Sequence, residues 1–218
     1  MIKNLDQYDL IVFDCDGVLL DVNIKKCEAF GEAVKGYPQQ TIKNFVNHCK
    51  NTFGISRYVK FKEFIYEFAK EPFSNALYEK LLNNYAELCE KIYQDAEITP
   101  GALALLIDLK QSDKKLFVAS GSDEEELKRV FSNRRIDMYF EEIYGSPNTK
   151  LENTSRLLKR NPNLKAVFIG DAFSDMKTAK SLGIDFIYMS KYSVQSIENE
   201  KECEGEAIKV IRTLEELR

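Results

Sequence analysis

Tryptophan is absent from this 218-residue chain, and histidine occurs once, as His48. Two or three histidine ligands therefore cannot meet within one chain, and a Ser-His-Asp triad would have to run through His48 alone. The five cysteines (Cys15, Cys27, Cys49, Cys89, Cys203) are odd in number, widely spaced and lack any Cys-x-x-Cys pair. That pattern argues against a disulfide framework or a structural zinc site, and for reduced thiols in a cytoplasmic protein. No long apolar run occurs, and Met1-Ile-Lys-Asn-Leu-Asp6 brings a charge by its third position, so neither a signal peptide nor a membrane span is expected. Positive charge is not in excess either: the formal net charge is −4, which argues against nucleic acid as a partner. Repeats, low-complexity tracts and Pro/Ser-rich linkers are also missing. What is present, 44% hydrophobic and 30% charged residues, is enough to build the core of one or two compact domains.

The composition shifts along the chain. Residues 22–94 hold 11 Lys and Arg against 8 Glu, and 13 of the 25 Phe and Tyr residues. Apolar positions there recur at helical spacing: Ile24, Cys27 and Phe30; Ile42, Phe45, Val46 and Cys49; Phe61, Phe64, Ile65 and Phe68; Leu77, Leu81, Tyr85, Leu88 and Ile92. Pro38, Gly54 and Pro72 fall where these helices should break. Residues 21–95 are therefore expected to form an all-helical insert. On either side, short apolar runs (Leu10–Phe13, Leu116–Ala119, Ile143–Tyr144, Ala166–Ile169, Phe186–Met189) alternate with amphipathic stretches. This pattern predicts an α/β core, discontinuous over 1–20 and 96–218, with a Rossmann-like parallel sheet and helices on both faces. Ligands of such sheets collect at the carboxyl ends of the strands.

The polar residues follow that rule. The first run ends in Asp14-Cys15-Asp16-Gly17, the second in Ser120-Gly121-Ser122 and the fourth in Gly170-Asp171-Ala172-Phe173-Ser174-Asp175, while Lys150 closes the segment after the third. Taken singly, each is commonplace: a loop carboxylate, a turn serine, a solvated lysine. Their joint order after successive strands carries the functional reading. Carboxylates without imidazole or thiolate suit a hard cation such as Mg²⁺, and a phosphoryl group needs the positive charge that Lys150 and a metal supply. One carboxylate can attack phosphorus, and a second, protonated, can donate to the leaving alkoxide.

These motifs resemble the haloacid dehalogenase superfamily, in its phosphatase branch with a helical cap inserted after the first strand (the phosphoglycolate phosphatase and β-phosphoglucomutase type). The resemblance spans nearly the whole chain. It implies Asp14 as nucleophile and Asp16 as general acid/base. Ser120, with Gly121, and Lys150 would bind phosphate. Mg²⁺ would be held by Asp14, Asp171 and the backbone carbonyl of Asp16, with Asp175 as an additional or supporting ligand. The presence of Asp16 disfavours the dehalogenase branch, since halide displacement needs no proton for an alkoxide. Phosphonate-cleaving relatives use a cap lysine, but nothing marks Lys25, Lys26 or Lys35 for that role. The expected activity is Mg²⁺-dependent hydrolysis of a small phosphorylated metabolite through an aspartyl phosphate. The alternatives are a sugar phosphomutase of the same fold and a catalytically weak binding module.

Specificity should then come from the insert. Gly54-Ile55-Ser56-Arg57-Tyr58-Val59-Lys60 joins two predicted helices and carries Arg57, the one arginine in residues 22–94. As a loop residue it could bind a substrate carboxylate or second phosphate bidentately. His48 and the stripe Phe61-Phe64-Ile65-Phe68 read as helix packing, and Asp123-Glu124-Glu125-Glu126 as a helix start.

Overall fold

The computed structural model describes residues 5–218, so Met1–Asn4 of the N-terminal segment weighed above lies outside the described residues. Along the chain run β1 (Leu10–Phe13), β2 (Leu20–Asp21), α1 (Asn23–Ala33), α2 (Gln39–Asn51), α3 (Arg57–Glu63), a π-helical turn (Phe64–Ala69), α4 (Asn75–Gln94) and β3 (Glu97–Ile98). Then follow α5 (Ala102–Gln111), β4 (Lys115–Asp123), α6 (Glu124–Asn133), β5 (Glu142–Ser146), α7 (Lys150–Arg160), β6 (Ala166–Gly170), α8 (Phe173–Leu182), β7 (Asp185–Met189), α9 (Ile197–Glu206) and β8 (Lys209–Ile211).

The larger sheet has the order β5-β4-β1-β6-β7-β8, every pairing parallel. Its alternating side chains divide the core. Leu10 and Val12 of β1 pack with Leu157 of α7 and Met176 of α8, while Ile11 and Phe13 pack with Leu105 of α5 and Leu127 of α6. Both faces are thus covered, as the near-continuous apolar strands require. The helix starts are fixed by caps: Asp123 accepts from Glu126 N at 2.9 Å, and Thr149 with Glu152 forms a capping box on α7. Five strands match the expected runs. β8 and α9 were not legible, because α9 buries Cys203 alone and so shows no apolar stripe.

The inserted helices form a second layer over the carboxyl ends of the strands. Pro38 sits immediately before α2, Gly54 (φ +83°) lies between α2 and α3, and Pro72 precedes α4. Their interior is aromatic: Phe30 stacks on Tyr85 with centroids 4.1 Å apart, and Phe45 meets Phe64 at 4.8 Å. Each buried ring contributes about 1.5–3 kcal/mol of hydrophobic stabilisation. Phe61, Phe64 and Ile65 are buried there, with Phe68 packed against them. Ile24 departs from the expectation and is 63% exposed. The buried stripe of α1 is Asn23, Lys26, Cys27 and Phe30, because that face looks onto the strand ends. Where the chain leaves and re-enters the core, β2 and β3 pair antiparallel, Leu20 opposite Ile98.

Candidate active site

Asp14 is the first residue beyond β1, and its backbone N–H still donates to Ile169 O at 3.0 Å, which fixes it beside the end of β6. Gly17 (φ +77°) turns the chain back: a Cβ there would fall 2.2 Å from Asn23 Nδ2 and 2.3 Å from Asp171 Oδ2. Only glycine meets both demands. Asp171 follows β6 directly, and Asp175 stands on the first turn of α8. Oxygens of Asp14, Asp171 and Asp175 all lie within 4.8 Å of one another, and all three residues are buried.

Lys150, the first residue of α7, ties this cluster together. Its Nζ lies 2.7 Å from Asp14 Oδ2 and 2.5 Å from Asp175 Oδ1. The second oxygen of Asp175 accepts from Ala172 N at 3.0 Å, so Asp175 braces both the loop and the lysine. Asp171 Oδ2 accepts from Asn23 Nδ2 at 2.6 Å, whereas its Oδ1 is buried without a partner. Burial pushes the Asp14 carboxyl up to about 7 against the pull of Lys150, with Asp175 and Asp16 adding to the rise. Asp171 is raised well above the carboxylate range by burial and then by its two acidic neighbours. The cluster gathers three buried carboxyl groups against one ammonium. The all-oxygen donors and the orphaned Asp171 Oδ1 fit a hard divalent ion.

Asp16 points elsewhere. Its Oδ2 accepts from Lys26 Nζ at 2.6 Å and Ser122 Oγ at 2.7 Å, and its Oδ1 from Tyr93 OH at 2.7 Å. Burial opposes its charge, yet Lys26 and these hydrogen bonds outweigh that and hold Asp16 below its ordinary value. Two of the three partners come from the helical layer, Lys26 from α1 and Tyr93 from α4. Ser120 is buried, its Oγ accepting from Ser122 N at 3.3 Å. A Cβ on Gly121 would meet Gly54 O at 2.1 Å, so here the two layers touch backbone to backbone.

Arg57 stands on the first turn of α3 and is buried, with its guanidinium on Glu126 of α6 and 4.7 Å above the Tyr85 ring. The expected loop arginine is therefore helical, and one arm is held by the core. The acidic run does start α6, but its third glutamate is taken inward. Asp14, Asp16, Ser120, Gly121, Lys26 and Arg57 line a small, partly open cavity of about 30 Å³, room for a water molecule and little more. Outside it, between α4 and α6, a cleft of about 900 Å³ also reaches Arg57. Sequence reasoning singled out neither Asn23, Ser122 nor Tyr93, and left Lys26 undistinguished. The polar residues at Asn23 and Lys26 share helical spacing with Cys27 and Phe30, a signal that apolar counting passes over.

Known proteins resemble this chain over most of its length. A phosphoglycolate phosphatase of Rhodobacter capsulatus is 24% identical over 192 residues, covering 81% of this chain and 82% of that protein. A protein of Caldanaerobacter subterraneus subsp. tengcongensis named as a candidate pyrophosphatase, PpaX, is 25% identical over 202 residues, covering 86% and 84%. The solved β-phosphoglucomutase of Clostridium difficile shares the fold with a TM-score of 0.70 at 23% identity, over 97% of this chain and 93% of that one. The family model described as haloacid dehalogenase-like hydrolase matches residues 11–189, and the chain belongs to that family.

Proposed function

We propose that the chain is a Mg²⁺-dependent phosphatase of a small phosphorylated metabolite, with residues 21–95 as a cap over a core of 1–20 and 96–218. The observation that carries this is Asp14, buried at the strand end between Lys150 and the carboxylates of Asp171 and Asp175. The metal would be held by Asp14, Asp171 and the backbone carbonyl of Asp16. The two engaged oxygens of Asp175 support a bracing role for it. Bound there, Mg²⁺ would offset negative charge on the transferring phosphoryl oxygens.

In this reading Asp14 attacks phosphorus in line, and the bond to the leaving oxygen breaks as an aspartyl phosphate forms. Asp16 donates a proton to that oxygen and later takes one from the attacking water, so its bonds to Lys26, Ser122 and Tyr93, which favour its ionised form, must loosen as the helical layer lifts. Lys150, Ser120 and the Gly121 backbone bind the phosphoryl oxygens, and Arg57 lies at the substrate side of the cavity. The buried site excludes bulk water, so substrate entry requires the helical layer to lift. The five buried free cysteines and the lack, among the described residues, of a helix able to cross a membrane support a cytoplasmic location.

The test is phosphate release from 4-nitrophenyl phosphate with Mg²⁺. Asp14→Asn should lose at least about 10⁴-fold in kcat while melting no lower than the parent, because it removes a buried acid. Activity within tenfold of the parent would sink the mechanism.

A further inference from the structure

Four cationic side chains are buried among the described residues, and three of them have an acid. Lys26 pairs with Asp16, Arg57 with Glu126, and Lys150 with Asp14 and Asp175. Lys60 does not. It is 1% exposed on α3, its Nζ donates to Cys49 O at 2.8 Å and Thr52 Oγ1 at 3.1 Å, and it lies 5.3 Å from the Phe30 ring centroid. These are neutral partners. Among the described residues no carboxylate lies within ion-pair distance of it, and Glu63, one turn on, is engaged by His48. Burying an ammonium without a counter-charge is costly, and two neutral acceptors leave its third proton unmet. Burial accordingly holds Lys60 below the ordinary lysine range.

Lys60 also lines the same small cavity as Asp14, Asp16 and Ser120, on the helical side with Phe30, Phe53, Ile55, Arg57 and Tyr85. The core side of that cavity is the phosphoryl side, so Lys60 faces whatever the phosphoryl group is attached to. We propose that Lys60 is the counter-charge for a carboxylate on the leaving group, and that the substrate is a phosphorylated carboxylic acid. This rests on the phosphatase reading above. The charge comes from the unpaired ammonium. Arg57 is the weaker candidate for this anion, because Glu126 already neutralises it.

The experiment compares phosphoglycolate with ethyl phosphate, which differ in the carboxylate, on the Mg²⁺-loaded protein. The native chain should favour phosphoglycolate in kcat/KM by at least about 100-fold, since a buried charge left without its partner is strongly penalised. Lys60→Met should reduce that ratio by at least about 30-fold, with Lys60→Arg recovering part of it. Unliganded Lys60→Met should melt no lower than the parent, because it deletes an unpaired buried charge, whereas a lysine kept for packing would lower the melting temperature.

A native ratio near one overturns the proposal, whether or not Lys60→Met folds. So does a variant that loses both substrates equally. Faster turnover of pyrophosphate than of phosphoglycolate overturns the carboxylate assignment. Release of phosphate from 4-nitrophenyl phosphate alongside any of these results leaves the phosphatase reading standing. No release from any of the four esters and anhydrides sinks both.

Discussion

The strand ends and the helical layer above them are opposites that complete each other. The core contributes Asp14, Asp16, Asp171 and Asp175, acids crowded into a space where only Lys150 opposes them from their own side. The helical layer contributes Lys26, Arg57 and Lys60, buried cations beneath an aromatic interior. Lys26 and Arg57 are buried charges that core carboxylates offset. The difference shows that docking of the two layers is an electrostatic event as well as an apolar one. Asp16 receives Lys26, and Arg57 receives Glu126, only when the layers meet.

That contrast can be broken at its strongest point with Lys150→Met. Removing the cation leaves Asp14 and Asp175 facing one another in a buried site, and should cost about 3–5 kcal/mol of stability as well as turnover. Urea denaturation measures the loss, and a midpoint unchanged from the parent would show that the acids are solvated in solution. Next comes the pair across the seam. Arg57→Met and Glu126→Gln should each destabilise more than an exposed ion pair allows, yet the double variant should recover about 1–3 kcal/mol relative to additivity. Additive effects would mean that the two side chains do not meet in solution.

A smaller effect distinguishes the helical layer by titration. A thiol of the unfolded chain ionises near its ordinary value of 9.0, whereas burial pushes Cys27 up to about 11 and Cys49 up to about 12. The folded protein keeps protons that the unfolded chain releases. This contribution is therefore complete below pH 9.0 and declines as pH rises through the folded values. Urea midpoints across that range should fall less steeply in Cys27→Ala/Cys49→Ala than in the parent. Equal slopes would remove these two thiols as the cause.

Much of the core was legible because parallel strands buried on both faces read as short apolar runs, and because Asp14, Asp16, Ser120, Lys150 and Asp171 follow those runs in order. The helical insert was legible from Phe and Tyr at helical spacing, with Pro38 and Gly54 as breaks. What stayed hidden was polar burial. Lys26 and Asn23 occupy the inward face of α1, where a pattern built on apolar residues placed Ile24 instead. Lys60 entered only as the last residue of the segment Gly54–Lys60, without a role of its own. Such residues are inward because a partner layer lies over them, and a one-dimensional pattern carries no record of that layer.

Gly54 and Gly121 meet without side chains. Side chains at a seam can change rotamer and let two bodies settle over a range of separations. Peptide groups in contact have no such slack. The two glycines therefore act as a mechanical stop, fixing how far the helical layer can descend and giving every closure the same end point. Alanine at Gly121 would be a spacer, and the height of the roof over Asp14 would be set by one methyl group.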